Sequence, residues 1–364
     1  MRATSKKVFF ILALAWLLFC CSIYFIARPF FLEIVPLLVL VLIVSRGIKP
    51  KFIISVLHLT LVGLFGAVFL SLMYGVMDKQ LMHFGFIAFI SAICKSLSVT
   101  ILGITVITGL VAGLGSKVLS KFCFKCESGL GQFLISIGLG IGIVINFGFF
   151  LAYFKILKLP VVIFLVVGLF YLSRKEIGSF FNKIARAKIR VKGDLQVVLF
   201  FSVFILVISH LVTKLRGFPL EFDSLSLYAN TAKNLALTGR LPQAWSFPFG
   251  IELFMGFNWL LFGAGTALTI NSLLGLLSVL AIYLIARKFV GYNFALFPSI
   301  FFYTTFAVAQ LTYFDDKVDL GILFFGVLSV YAFLQWHTLH RRRISIKLEP
   351  RYCLTAGKGR IYVK

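Results

Sequence analysis

Apolar runs of about 20 residues, each the length that crosses a hydrocarbon core as one helix, follow one another from Val8 to Trp336 with no long polar stretch between them. Nothing constrains this chain more. Hydrophobic residues make up 60% and charged residues only 13%, against about 25% charged in an ordinary soluble domain. The pattern excludes a soluble globular enzyme, a disordered chain and a disulfide-stapled secreted domain. It predicts an all-α, polytopic membrane protein.

About ten spans are expected. They are Val8–Ala27, Pro29–Ser45, Phe52–Tyr74, Ala92–Ala112, Leu130–Phe154, Leu159–Ser173, Leu195–Thr213, Thr266–Ala286, Phe294–Tyr313 and Leu320–Trp336. The fourth is interrupted by Lys95, which can snorkel to the interface. Val8–Ala27 follows a short positive segment, as in a signal peptide. It lacks a small-x-small cleavage site and reads as a retained first helix. Basic groups lie at Arg2/Lys6/Lys7, Arg46/Lys49/Lys51, Lys117/Lys121/Lys125, Arg174–Lys192, Arg287/Lys288 and Arg341–Arg343. With both termini cytoplasmic, all six fall on the cytoplasmic side of a cell membrane. That parity requires Phe249–Phe262 not to span. The segment is therefore laid on the outer membrane surface as an interfacial piece between the seventh and eighth helices. The chain divides into N-terminal helices (1–194), a second membrane module (195–340) and a basic tail (341–364).

The 36 Lys and Arg against 12 Asp and Glu give a formal charge of +24. Cytoplasmic loops facing an anionic leaflet account for that balance, and no compact basic domain suggests a nucleic-acid partner. Cys20, Cys21 and Cys94 read as small core residues. Cys123 and Cys126 form one Cys-x-x-Cys pair, short of the four ligands a structural zinc needs. Ser136 and the glycines from Gly138 to Gly148 suit close helix packing. Glu33, His58 and Asn146 read as interface-facing or helix-bonding polar residues.

Half of the acids lie between Glu221 and Asp319, and this topology puts all six on the outer face. After Glu221-Phe-Asp223, the residues Leu225, Tyr228, Ala229, Ala232, Leu235 and Ala236 recur at helical spacing. Asn230, Thr231, Lys233, Asn234 and Thr238 take the other face, and Gly239 stops the helix. Asp223 or Ser224 is its expected N-cap. A second acidic stretch, Asp315-Asp316-Lys317-Val318-Asp319, ends with Asp319 as the expected cap of the last helix. Asp315 and Asp316 either form a solvated turn or bind Mg²⁺ or Mn²⁺.

The pattern Phe222-Asp223-x₄-Tyr228-x₃-(Thr/Ala)-x₂-Leu235, with Gly239, resembles the first outer loop of C-type membrane glycosyltransferases. The similarity is to the protein-mannosyltransferase and aminoarabinose-transferase-like group. It extends through Leu261-Phe262-Gly263, a small-residue helix, Arg287-Lys288-Phe289-Val290-Gly291 and Asp319-Leu320-x₃-Phe324, over roughly 218–335. That family has one span before the first loop, and six further spans precede that one here; its members also continue with further helices, so the resemblance implies a truncated form. Ser224 stands where the family often has a second acid, leaving Glu221 or nothing as the second carboxylate.

The resemblance implies a defined reaction. A polyprenyl-phosphate-linked sugar, anchored in membrane lipid, donates to an envelope acceptor at the outer face. The acceptor attacks the anomeric carbon with inversion, and polyprenyl phosphate leaves. Asp223 is the implied base, with Asp319 assisting. Lys233, Arg240 or Lys317 would neutralise the leaving phosphate. Two other classes stand beside it: a lipid-linked-sugar flippase or small-solute transporter, which would use the same acids as a gate or cation site, and an envelope polysaccharide polymerase or ligase, which would share the donor but need cationic loop residues more than carboxylates.

Overall fold

The structure is a computed structural model. It describes residues 51–55, 86–122, 126–192, 224–241, 250–291, 295–303 and 317–345, with the single positions 58, 124, 305, 308 and 311. The expected spans Val8–Ala27, Pro29–Ser45 and Leu195–Thr213 lie outside these residues, as do Cys20, Cys21, Glu33 and Cys123. Among the described residues four helices are long and apolar enough to cross a membrane, and the protein is membrane-embedded and mostly helical.

Strand β1 (Lys51–Ser55) pairs antiparallel with β2 (Lys188–Lys192), Lys51 opposite Lys192 and Ser55 opposite Lys188. The third expected span therefore does not begin as a helix at Phe52. The pairing instead joins two of the basic segments to each other. Between the strands run α1 (Phe86–Lys121), α2 (Gly129–Tyr153) and α3 (Leu159–Arg186). The α2 bounds match the expected Leu130–Phe154 within a residue. Its N-cap is Ser128, whose Oγ accepts from Gly131 N–H at 3.0 Å, as a short polar side chain does at an uncapped helix start. α1 is longer than Ala92–Ala112 at both ends and carries Lys117 and Lys121 as its last turns. α3 continues through the basic stretch expected to be loop. Ser173, Ile177, Phe180 and Ile184 hold one face at helical spacing there, with Ser173 and Ile177 buried.

Small residues set how closely these helices approach. A Cβ at Gly140 would collide with the Val111 carbonyl, and one at Gly115 with the Ser136 carbonyl. α1 and α2 thus meet backbone to backbone in antiparallel order. Without a hydrophobic drive between helices in lipid, such close contact and interhelical hydrogen bonds hold the pair. Ser116 Oγ donates to Ser136 Oγ at 3.1 Å across this seam. α3 runs back antiparallel to α2 and packs chiefly on α1; it meets α2 at the stacked pair Phe133–Phe180, centroids 5.4 Å apart.

The second half adds a single-turn π-helix (Ser224–Tyr228), α4 (Ala229–Thr238), α5 (Gly250–Phe262), α6 (Ala264–Val290), α7 (Leu296–Tyr303) and α8 (Asp319–Ser345). A Cβ at Gly138 would strike Leu328, and one at Gly131 would strike the Tyr331 hydroxyl, so α8 runs antiparallel to α2. Thr266, in the first turn of α6, abuts Gly103 of α1. At the other end Lys288 Nζ stands 3.9 Å from Glu127 Oε2 and reaches Thr338 Oγ1 of α8 at 3.4 Å. α1, α3, α6 and α8 therefore run the same way, and Lys117, Lys121, Lys183, Arg186, Arg287 and Lys288 gather at one end. One hydrophobic core, from Ile107 to Tyr331, draws on α1–α6 and α8.

Candidate functional site

The end of the bundle opposite the basic groups carries α4, α5 and the starts of α6 and α8. α4 has the expected two faces. Ala229, Ala232, Leu235 and Ala236 are buried, while Asn230, Lys233, Asn234 and Thr238 are exposed. Thr231 departs from the expectation and is buried. Gly239 ends the helix in the left-handed region (φ 67°), with its N–H on Leu235 O at 2.9 Å. Two constraints make it glycine. The positive φ disfavours a side chain, and a Cβ there would stand 2.7 Å from the Leu157 carbonyl. That contact fixes α4 against the α2–α3 connection.

α5 corrects the interfacial expectation for Phe249–Phe262. It is a 13-residue helix, too short to span, but it does not lie on the surface. Every residue from Ile251 to Asn258 is buried. Its start touches α8, where a Gly321 Cβ would meet Ile251 Cδ1 at 2.5 Å, and its end touches α1 through Phe262 against Gly103. It thus crosses the bundle beneath α4, whose Ala232 carbonyl and Leu235 Cβ would stand 3.0 and 3.1 Å from a Cβ at Gly256.

Within α5, Glu252 is 5% exposed and its Oε2 has no hydrogen-bond partner among the described residues. Burial pushes its carboxyl above the usual glutamate range, partly offset by a hydrogen bond from its own backbone N–H. Asn258 is fully buried. Its Nδ2 donates to Phe254 O at 2.7 Å and its Oδ1 is unpaired among the described residues. Sequence reasoning passed over Glu252. The available signal was an ionisable group in the middle of an apolar run.

Of the expected catalytic pair, Asp319 is described and Asp223 lies outside the described residues, as do Glu221, Asp315 and Asp316. Asp319 is exposed and is the first helical residue of α8 rather than its cap. The Val318 carbonyl accepts the first bonds, from Gly321 N at 2.9 Å and Ile322 N at 3.0 Å. An acid in this first turn still gains from the helix dipole. Lys233 and Arg240 are exposed, and Lys317 is half-buried. Asp315 and Asp316, the expected metal ligands, lie outside, and no three His, Cys, Asp or Glu side chains converge among the described residues.

What the structure brings together is two segments distant in sequence. α4, which follows Asp223, and the start of α8, which bears Asp319, both pack on α5, at Gly256 and Ile251. Five residues of helix separate those contacts, a rise of about 7.5 Å. Comparison with protein-family models, with curated proteins and with solved structures gave no match.

Proposed function

We propose that the protein is a membrane glycosyltransferase that moves a sugar from a polyprenyl-phosphate carrier to an envelope acceptor at the end of the bundle opposite its basic groups. The basic end is the cytoplasmic end in this reading, so transfer takes place on the outer face of the cell membrane. One observation supports it above others: α4, which follows Asp223, and α8, which bears Asp319 96 residues later, both touch α5, at Gly256 and Ile251. Asp223 takes the proton as an acceptor hydroxyl or amine attacks the anomeric carbon. The bond from that carbon to the carrier phosphate oxygen breaks, and the phosphate leaves towards Lys233, Arg240 or Lys317. Burial of α5 beneath α4 supplies the dry wall that a hydrolysis-sensitive sugar phosphate requires.

A transporter or flippase draws on a different observation. α5 and α6 are separated by Gly263 alone, and the shorter piece carries a buried carboxyl; discontinuous helices of this kind hold substrate in transporters. The test separates the two. Purified full-length chain in detergent is given radiolabelled polyprenyl-phosphate sugar and an envelope extract. Label in the acceptor supports transfer. Label that only changes leaflet when the chain is placed in vesicles supports the rival and overturns the enzyme.

A further inference from the structure

α1 and α6 flank an open cavity of about 340 Å³ at the same end, which the sugar-transfer reading does not use. Lys95, Ser96, Val99 and Thr100 line it from α1, and Phe262 with the first residues of α6 close the other side. The start of α6 opens into it. Gly263 (φ 82°) precedes the helix and offers no side chain to cap it. The first bond there runs from Ala267 N to Gly263 O at 3.3 Å, so the N–H groups of Ala264, Gly265 and Thr266 have no acceptor within the helix. The positive end of a 27-residue helix dipole is thus left open.

An independent feature points to a ligand. Thr100 is 4% exposed, and its hydroxyl has no hydrogen-bond partner among the described residues. It is aimed at the helix start, with Oγ1 2.7 Å from where a Gly265 Cβ would stand. A hydroxyl at the cavity wall, beside uncapped amides and bonded to none of its own helix carbonyls, suits an acceptor between them. Lys95 is exposed at the mouth. Ammonium, hydroxyl and helix-end amides are the donor set that recognises a phosphate oxyanion.

The position selects the source of that phosphate. Lys95 stands 22 residues before Lys117 and Ala264 stands 23 before Arg287, about 33–35 Å of helix and so roughly one hydrocarbon core from the basic end, which places the cavity at headgroup level. Below it on α1, Val99 and Leu102 are 38% and 58% exposed, an apolar track for a hydrocarbon chain. We propose that this cavity binds the phosphate headgroup of a membrane lipid, held by Lys95, the Thr100 hydroxyl and the amides at the start of α6, with the lipid chain along Val99 and Leu102. The site is separate from Lys233, Arg240 and Lys317, and it stands whether or not the protein transfers sugar.

The test is a binding titration of the full chain in neutral detergent with decyl phosphate, read by the thermal unfolding midpoint. Decanol and inorganic phosphate are the comparison ligands. The expected result is saturable stabilisation by decyl phosphate and little by either comparison ligand. Lys95→Gln and the near-isosteric Thr100→Val should each weaken binding about tenfold, the scale of a hydrogen bond to a charged group. Lys175→Gln, at the other end, should leave it unchanged. Unaltered affinity in both Lys95→Gln and Thr100→Val overturns the site. Equal binding of inorganic phosphate overturns the lipid, and equal binding of decanol overturns the phosphate.

Discussion

Glu252 confers a pH dependence on stability. Burial raises its folded-state pKa, so the unfolded chain releases the proton first. The linked stability is complete below the ordinary glutamate value, about 4.3, and falls as pH rises through the shifted one. Glu252→Gln keeps the shape and removes the titration. Thermal unfolding between about pH 4 and pH 8 should decline in the wild type and stay nearly flat in the variant; parallel curves would mean the carboxyl is not desolvated. Cys126 gives a second check. Burial pushes its thiol up to about 11 against the pull of Lys288. With the other cysteines replaced, its alkylation near neutral pH should be about a hundredfold slower than that of a cysteine at exposed Lys121. Asp223→Asn belongs with these. Asn caps a helix nearly as well as Asp, so membrane insertion and melting should hold while transfer drops about 10²–10⁴-fold. A melted or fully active variant would each reject Asp223 as base.

At the scale of elements, α2 tests whether glycine spacing encodes packing. Gly140→Ala would drive a methyl into the Val111 carbonyl, whereas a Cβ at Gly142 meets nothing within 4 Å. Gly140→Ala should cost about 3 kcal/mol or more, in the range of overpacked cores. Gly142→Ala should be neutral or slightly stabilising. Equal melting temperatures would show that α1 can back away. Much of this layer was legible from sequence. The glycine run announced a close seam, Gly239 announced a helix stop, and the α4 faces follow the spacing of Ala229, Ala232, Leu235 and Ala236. Two things were not legible, for physical reasons. Hydropathy ends α3 at Ser173 because charges begin there, but helix formation depends on one buried stripe, and Ile177 continues it. α5 was placed at the surface because it is short, yet a helix apolar all round belongs in a core. The gathering of Lys117, Lys121, Lys183, Arg186, Arg287 and Lys288 at one end was legible because charge is counted residue by residue, while Glu252 escaped because burial cannot be read from a single acid.

For the whole molecule, orientation is the first question. Single cysteines at Ser246 and Lys317 should react with an impermeant reagent in intact cells, and one at Lys183 only after lysis; the reverse pattern would invert the reading of the basic end. The seam between α2 and α8 has a consequence in time. Gly131 and Gly138 are shaped for Tyr331 and Leu328, partners on the order of two hundred residues downstream, a separation that makes closure late in folding. At ordinary synthesis rates α2 waits roughly 10–40 s with that side uncovered. A nascent chain halted before Asp319 should therefore remain bound to insertion factors or be degraded, and release should coincide with arrival of α8. The glycines that permit the tightest packing in the finished protein thus mark the surface most in need of an attendant while it is being made.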